Sequence, residues 1–174
     1  MNQAAVRTPC VLILCLLSLL LAENTCFALP DDRTQTMELR ANSADLNHES
    51  HLGTYLGDVQ FDQGTTHIRA AKAITLGNLK NQIVKAVIKG DQKTQAHYWA
   101  ITAIDKPPMH AYANIINYYP ERHLIELIGS ARVEQGDNSF SASKISYDTL
   151  HQHVVSKSEG LERTTIIIHP GRKP

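Results

Sequence analysis

The chain has 174 residues, with 17 basic and 17 acidic side chains, three cysteines and a hydrophobic share of 43%. This length suits one domain or two small ones and is enough to bury a sizeable core. A formal net charge of zero argues against a general nucleic-acid-binding protein, which would carry a basic excess. The hydrophobic share argues against wholesale disorder.

The N-terminal segment holds the most concentrated hydrophobicity of the chain. Arg7 is followed by a run of apolar residues over 10–22 and then by residues 23–28, which end in Ala28. One positive charge, a short apolar run and a final small residue are typical of a secretory signal peptide. A membrane-spanning helix needs roughly 20 apolar residues, more than this run contains. We therefore expect residues 1–28 to be a signal peptide, with an uncleaved anchor or a lipoprotein modified at Cys26 as alternatives.

Cleavage after Ala28 would remove all three cysteines, which are Cys10, Cys15 and Cys26. The exported protein would then enter an oxidising compartment without a disulfide bond, and its core and sheet alone would stabilise it. That combination is typical of a periplasmic domain rather than a small disulfide-bonded extracellular one.

A repeat with a constant offset of 72 residues runs through the rest of the chain, because Met37 corresponds to Met109. The alignment needs no gap over roughly forty residues, which favours a duplicated β unit over chance. The same offset pairs identical residues at 41/113, 42/114, 49/121, 51/123, 52/124, 57/129, 63/135, 64/136, 70/142 and 72/144. It also pairs the similar residues Phe61 with Val133 and Ile68 with Phe140.

The repeated segment predicts strands separated by turns. Residues 37–41 alternate apolar and polar side chains, as a half-buried strand does. Residues 45–50 have turn composition, and Pro120, in the corresponding segment 119–122, suits a turn or sheet edge. Residues 57–64 and 129–136 each predict a strand closed by a glycine turn at positive φ. New strands are expected to begin at 68–70 and 140–142.

The remaining segments also favour strands. Residues 81–89 fit either two helical turns or a strand, whereas 96–104 and the β-branched run 164–169 predict strands that end before prolines. We expect one β domain over 29–169 and a short tail over 170–174. Many short strands with turn signals between them predict an all-β sandwich, barrel or roll.

The block Gly-x-Val/Ala-x-Phe/Val-x-Gln-Gly, followed by Ile/Phe-x-Ala-x-Lys, occurs in both copies. Together with the ending 164–168, it resembles the LptA, or OstA-like, family of periplasmic lipopolysaccharide-transport proteins over about residues 35–169. The resemblance implies an open, twisted β-jellyroll of about sixteen strands built from the duplication. It also implies binding of the lipid A part of lipopolysaccharide and head-to-tail self-association into a bridge across the periplasm. The implied partners are an LptC-like inner-membrane component and an LptD-like outer-membrane component. The sequence contains no Gly-x-Ser-x-Gly, His-Glu-x-x-His or phosphate-binding glycine motif, so we expect neither an enzymatic activity nor a cofactor.

A lipid carrier needs inward apolar side chains that acyl chains can contact. The resemblance implies that Met37 and Leu39, near the N-terminal strand, contact lipid A. For each candidate taken singly, ordinary core packing is the alternative. The full set of lipid-binding candidates is Met37, Leu39, Val59, Phe61, Ile68, Val133 and Phe140.

Self-association is predicted at unpaired sheet edges. The last strand is β-branched and uncharged, so it is poorly protected against pairing with another chain. Its partner edge would lie near residues 37–41, and pairing of two different edges is open-ended. The alternative is that the last strand closes its own sheet. The residues proposed for this edge are Thr164, Thr165, Ile166, Ile167 and Ile168.

Other sites receive less support from the sequence. His151 and His153 would share one face of a strand, but no third ligand has a suitable spacing, so we expect no metal site. His51 and His123 are interpreted as solvated turn residues. Five lysines between 72 and 93 predict a solvated face or, under the resemblance, contacts to lipid A phosphates. The alternative functions are a membrane-anchored LptC-like component and a structural or adhesion β-sandwich.

Overall fold

The computed structural model describes residues 34–80, 82–151, 153–158, 160 and 163–170. The expected signal peptide over 1–28 and the last four residues of the tail lie outside the described residues. The signal peptide and the tail therefore remain predictions from the sequence. Within the described residues, no helix is long and apolar enough to cross a membrane.

The described part of the chain forms one sheet of twelve strands, paired antiparallel, with a 3-10 turn at Pro120–Arg122. The fold class is therefore all-β, as predicted. The strands in chain order are β1 Met37–Arg40, β2 Ser43–Asn47, β3 Leu52–Gln63, β4 Thr66–Gly77, β5 Ile83–Lys89, β6 Ala96–Ala100, β7 Met109–Ala113, β8 Ile115–Tyr119, β9 Leu124–Gln135, β10 Asn138–Asp148, β11 His153–Lys157 and β12 Thr165–Ile167.

Four long strands divide the sheet into two arms. Each of β3, β4, β9 and β10 pairs with one short strand along its first half and with another along its second half. The first arm has the order β2-β3-β4-β5-β8-β9-β10-β11, and the second has the order β1-β3-β4-β6-β7-β9-β10-β12. Since the four long strands belong to both arms, twelve strands supply the sixteen strand segments expected of the open roll.

The arms separate at β-bulges that glycine makes possible. In β3 the register with β4 shifts between Leu56 and Val59, and Gly57 and Asp58 have φ values of 76° and 44°. The backbone N–H of Asn42 donates to the Gly57 carbonyl at 2.8 Å. A Cβ at Gly57 would lie 2.6 Å from the Asn42 side-chain amide. The prediction that Gly57 begins a strand was wrong, because it bends the middle of a longer one.

The structure confirms the internal duplication. Strands β1 to β4 begin at residues 37, 43, 52 and 66, and β7 to β10 begin 72 residues later at 109, 115, 124 and 138. The bulge recurs at Gly129 and Ser130, with φ values of 79° and 47°. The hairpin glycines Gly64 and Gly136 both have positive φ, as predicted.

Several local predictions need correction. The first half of the predicted turn over 45–50 belongs to β2, an exposed strand that pairs along one side with β3 and therefore lacks apolar alternation. The open segment 81–89 contains strand β5, whereas the predicted strand 96–104 ends at Ala100. The final strand is shorter than predicted and spans Thr165–Ile167.

The inner faces of the two arms pack against each other and form the core. Alternating side chains of the central strands are almost completely buried, as the two-residue period of a strand requires. The largest fully buried side chains are Val59, Ile88, Ile116, Ile125, Leu127 and Ile145.

The outer face of the second arm carries a continuous stack of rings and guanidinium groups across four strands. Its members, in order, are Arg69 with His67, then Trp99, His97, Tyr112 and Arg132, with centroid separations between 4.3 and 5.1 Å. His97 Nε2 also lies 3.0 Å from His110 Nδ1. Burial, the charge of His110 and that of Arg69 lower the pKa of His97 to about 4, so His97 is neutral at pH 7.

Candidate functional site: an apolar cavity between the arms

A cavity of about 410 Å³ lies between the two arms, mainly within the first repeat. This volume is within the range of roughly 300–1,000 Å³ that is usual for small-molecule sites. Its lining is mainly aliphatic and aromatic. The lining residues are Met37, Leu39, Val59, Phe61, Gln63, Ile68, Ala73, Thr75, Gln82, Ile83, Ala86, Ile88, Tyr118, Pro120 and Glu121.

Strand alternation places these side chains in the cavity. Leu39 pairs with Phe61, which pairs with Ile68, so three apolar side chains from β1, β3 and β4 form one inward row of the second arm. The facing wall belongs to the first arm, where Ala73 of β4 pairs with Ile88 of β5. The cavity is therefore bounded by both arms of one hairpin and by the strands beside it.

Five of the seven predicted lipid-binding residues line this cavity. Val59, Phe61 and Ile68 are buried and Leu39 is half-buried. Met37, the first residue of β1, is 43% exposed. The structure thus brings the first-repeat candidates together.

Val133 and Phe140 do not line this cavity. They pair with each other across β9 and β10 and pack, partly buried, against the core of the second repeat. They are the repeat counterparts of Phe61 and Ile68, so they have the same inward orientation but lie in the other half of the roll.

The size of two inward residues explains why the cavity lies in the first repeat. Ala73 and Thr75 stand where the second repeat has Ile145 and Tyr147. All four side chains are buried, so the larger pair fills space in the second repeat that the smaller pair leaves open in the first. Smaller side chains at inward positions leave a cavity when the surrounding interior does not collapse onto them.

Sequence reasoning missed the wall formed by β4 and β5. Ala73, Thr75 and Ala86 attract no attention as single small residues, and the segment containing β5 fitted a helix as well as a strand. The repeat itself held a usable signal, because the 72-residue offset places small residues opposite large ones at Ala73/Ile145 and Thr75/Tyr147.

Two of the polar lining residues are exposed, whereas Thr75 is buried. Gln82 and Glu121 are exposed, and a Glu121 carboxylate oxygen accepts a hydrogen bond from Asn78 Nδ2 at 3.4 Å. The lysines of β4 and β5 are elsewhere: Lys72 and Lys85 alternate with Ala73 and Ala86 and therefore lie on the opposite face of the sheet.

Among the described residues, no group of three or more His, Cys, Asp or Glu side chains is arranged to hold a metal ion. His151 lies in the turn before β11, so the predicted strand face shared with His153 does not form. Its side chain instead contacts Asp148 at 2.9 Å. The backbone N–H and then the ring of His151 hold the pKa of that carboxyl at about 2. His51 and His123, which were predicted to be solvated turn residues, do lie at turns and have positive φ. Both are half-buried rather than fully solvated.

The sheet ends in strands with one open side. In the part of the chain that the structure describes, β1 pairs with β3 alone and β12 with β10 alone. Ile166, Ile167 and Ile168 are 59%, 48% and 74% exposed. In general, a strand that is paired along one side only can pair with another chain along its other side.

Comparisons with known proteins agree on one family. Residues 38–153 match the profile described as "LptA/(LptD N-terminal domain) LPS transport protein". The chain is 32% identical over 160 residues to the lipopolysaccharide export system protein LptH of Pseudomonas aeruginosa, which covers 88% of this chain and 90% of the relative. It is 26% identical over 155 residues to the lipopolysaccharide export system protein LptA of Escherichia coli, which covers 89% and 82%.

A solved structure shares the fold. The crystal structure of LptH, described as the LptA-homologous periplasmic component of the lipopolysaccharide transport device of Pseudomonas aeruginosa, superposes with a TM-score of 0.74 at 29% identity. The superposition covers 81% of this chain and 100% of that chain. The open β-jellyroll expected from the sequence is therefore the fold of this chain.

Proposed function

The chain belongs to the LptA/LptD N-terminal domain family of lipopolysaccharide transport proteins, and from this premise we propose that it is a periplasmic lipopolysaccharide-binding bridge protein. It shelters the acyl chains of lipid A in the roll while lipopolysaccharide moves from the inner to the outer membrane. The observation that carries this proposal is the apolar cavity between the arms.

The chemistry of the cavity suits acyl chains. Its walls offer aliphatic and aromatic surface from both arms, and the more polar lining residues Gln82 and Glu121 are exposed. Moving a methylene group from water to an apolar site contributes about 0.8 kcal/mol. Burial of several methylene groups therefore supplies affinity without an ion pair, a metal or a covalent step.

A bridge also requires contacts between copies and with partners. The open sides of β1 and β12 provide two different edges, so one copy's β12 can add to the β1 edge of the next and continue the sheet head-to-tail. The same edges would engage the LptC-like component at the inner membrane and the LptD-like component at the outer membrane. Movement along the bridge draws its energy from those partners.

The location follows from the expected signal peptide. Export and cleavage after Ala28 would release a cysteine-free protein into the periplasm. Mass spectrometry of the protein purified from the cell envelope should show loss of residues 1–28. A retained N-terminus would instead favour the membrane-anchored, LptC-like alternative.

Binding of labelled lipopolysaccharide to purified protein tests the proposed function. Met37→Asp places a charge at the cavity while altering a side chain that is 43% exposed, so the fold should persist and binding should fall. Gln60→Asp is the matched control, because Gln60 neighbours Phe61 on β3 but faces the outer side of the sheet. Unchanged binding by folded Met37→Asp would contradict the proposal.

A further inference from the structure

The outer face of β3, β4 and β5 in the first arm carries a surface that the cavity does not explain. Three rows cross these strands in register, Leu56 with Lys72 and Lys89, Thr54 with Ile74 and Val87, and Leu52 with Leu76 and Lys85. We call this surface the outer patch. Its nine residues, all on the side of the sheet away from the cavity, are Leu52, Thr54, Leu56, Lys72, Ile74, Leu76, Lys85, Val87 and Lys89.

The outer patch is both apolar and basic. Its leucines Leu52, Leu56 and Leu76 are 43%, 44% and 38% exposed. Lys72 and Lys89 stand directly opposite each other, an arrangement of like charges that destabilises a sheet. Within the described residues, neither of these two lysines forms an ion pair with a carboxylate. The fold tolerates this repulsion without an internal counter-charge.

The second repeat shows what the same surface looks like when its charges are balanced. The counterparts of Thr54 and Leu76 there are Glu126 and Asp148. Lys144, the counterpart of Lys72, forms an ion pair with Glu126 at 2.8 Å. The hydrogen bond from Lys144 holds the pKa of the Glu126 carboxyl below its usual value despite partial burial. Lys144 also stands opposite Lys157, so both repeats have a facing pair of lysines. They differ in the acids, because the first repeat has an alcohol and a leucine where the second has Glu126 and Asp148.

The outer face of the second arm is balanced as well. Arg40, Arg69 and Arg132 each lie within 3.2 Å of a carboxylate, those of Glu38, Asp62 and Glu134. Lys85 Nζ lies 5.7 Å from the centre of the Tyr119 ring. Three lysines beside three exposed leucines, with no carboxylate among the nine residues, therefore distinguish the outer patch from the two comparable surfaces of this roll.

We propose that the outer patch docks the protein on an anionic phospholipid surface. The apolar stems of the lysines and the three leucines can enter the headgroup layer while the ammonium groups meet lipid phosphates. The lysines are spread along rows of a sheet rather than converging on one point, so they match a plane of negative charge better than a single small anion. Each lysine close to an anionic bilayer strengthens binding about fivefold.

Docking would hold the cavity close to the bilayer. Ala73 and Ala86 on the inner face of β4 and β5 line the cavity, and Lys72 and Lys85 beside them on the outer face belong to the outer patch. The two surfaces are thus the two sides of the same strands. The inference goes beyond the proposed lipopolysaccharide site and does not depend on it.

Co-sedimentation with lipid vesicles tests the inference. The protein is purified as the cell exports it and mixed with vesicles of phosphatidylglycerol and phosphatidylcholine, or of phosphatidylcholine alone, with the same acyl chains. Binding is expected to the anionic vesicles and to weaken as salt is raised. Equal binding to both vesicle types would overturn the inference and indicate uptake of acyl chains instead.

A pair of double variants assigns the binding to the outer patch. Lys72→Gln with Lys89→Gln should lower partitioning onto anionic vesicles about 25-fold. Lys144→Gln with Lys157→Gln removes the same charge from the matching row of the second repeat and should leave partitioning within about twofold, since Glu126 and Asp148 balance the charge of these two lysines on that surface. Circular dichroism confirms that both variants fold.

Three further results would overturn the proposal: no binding by the unmodified protein, equal losses in the two double variants, or displacement by inorganic phosphate at constant ionic strength. The last would indicate a site for a small anion. Because the vesicles contain no lipopolysaccharide, failure here leaves the cavity proposal standing, and failure of lipopolysaccharide binding leaves this one standing.

Discussion

Replacing Ala73 with isoleucine transfers a residue of the second repeat into the first and should fill part of the cavity. Ala73 is buried, lines the cavity and corresponds to Ile145 at the 72-residue offset. A β-branched side chain suits the strand, and its three added carbons point into existing space rather than into packed neighbours. Ala73→Ile should therefore reduce the space for acyl chains in the cavity while leaving the fold intact.

The expected magnitude follows from the carbons that change place. Three methyl or methylene groups of an acyl chain lose their place in the cavity, at about 0.8 kcal/mol each, so lipopolysaccharide binding should weaken by about 2.4 kcal/mol, or roughly 50-fold. Burying the new side chain contributes a similar amount to stability, and imperfect fit offsets about 1–3 kcal/mol of it. The free energy of unfolding should thus stay within about 1.5 kcal/mol of the unmodified protein.

The assay combines a binding titration with labelled lipopolysaccharide and urea unfolding. Ser146→Ile is the reciprocal control, because Ser146 is the counterpart of Ile74 and faces the outer side of β10. It adds apolar carbons far from the cavity and should leave binding unchanged. Full affinity in folded Ala73→Ile would refute the assignment of acyl chains to this cavity.

Three further predictions concern the fold and its edges. His97 has a pKa near 4 in the folded protein and about 6.5 when unfolded, so unfolding takes up a proton and stability falls as the pH drops from 6.5 to 4. After discounting for partial exposure the fall is about 1–2 kcal/mol, and urea unfolding at several pH values should show that His97→Gln loses it. Gly129→Ala should lower the free energy of unfolding by about 2–3 kcal/mol, because its φ is positive and a Cβ would meet a side chain at 2.7 Å. Gly160→Ala, with positive φ but no neighbour within 4 Å, should lose only about 1 kcal/mol, and equal losses would contradict the bulge argument. Ile166→Lys with Ile168→Lys should abolish concentration-dependent oligomers in light scattering while stability changes by less than about 0.5 kcal/mol; an unmodified protein that stays monomeric at high concentration would contradict edge pairing.

Most of the fold could be predicted because the duplication repeats each signal. Each turn and strand pattern is weak alone, but its recurrence 72 residues later indicated a duplicated β unit. The structure repeats the same strands, bulges and hairpin turns at that offset. Strand β2 was missed for a physical reason. All five of its residues are exposed, so neither apolar alternation nor burial distinguishes it from a polar turn.

The candidate site could be predicted only where it is made of large side chains. Leu39, Phe61 and Ile68 follow from strand alternation, and they line the cavity. The choice between the two repeats could not be made from alternation, because Val133 and Phe140 have the same pattern. That choice depends on the smaller side chains at Ala73 and Thr75. The 72-residue offset shows this difference in size, but its importance is clear only once both positions are known to face the interior.

Photo-crosslinking in cells tests the central claim most directly. A photoreactive amino acid is placed at Leu39, which lines the cavity, or at Arg40, the next residue of β1, which is exposed on the outer side. The proposed function predicts crosslinks to lipopolysaccharide from position 39 and few or none from position 40. Equal crosslinking from the two positions, or none from position 39 in a folded and exported protein, would contradict the claim that the roll shelters the acyl chains between its arms.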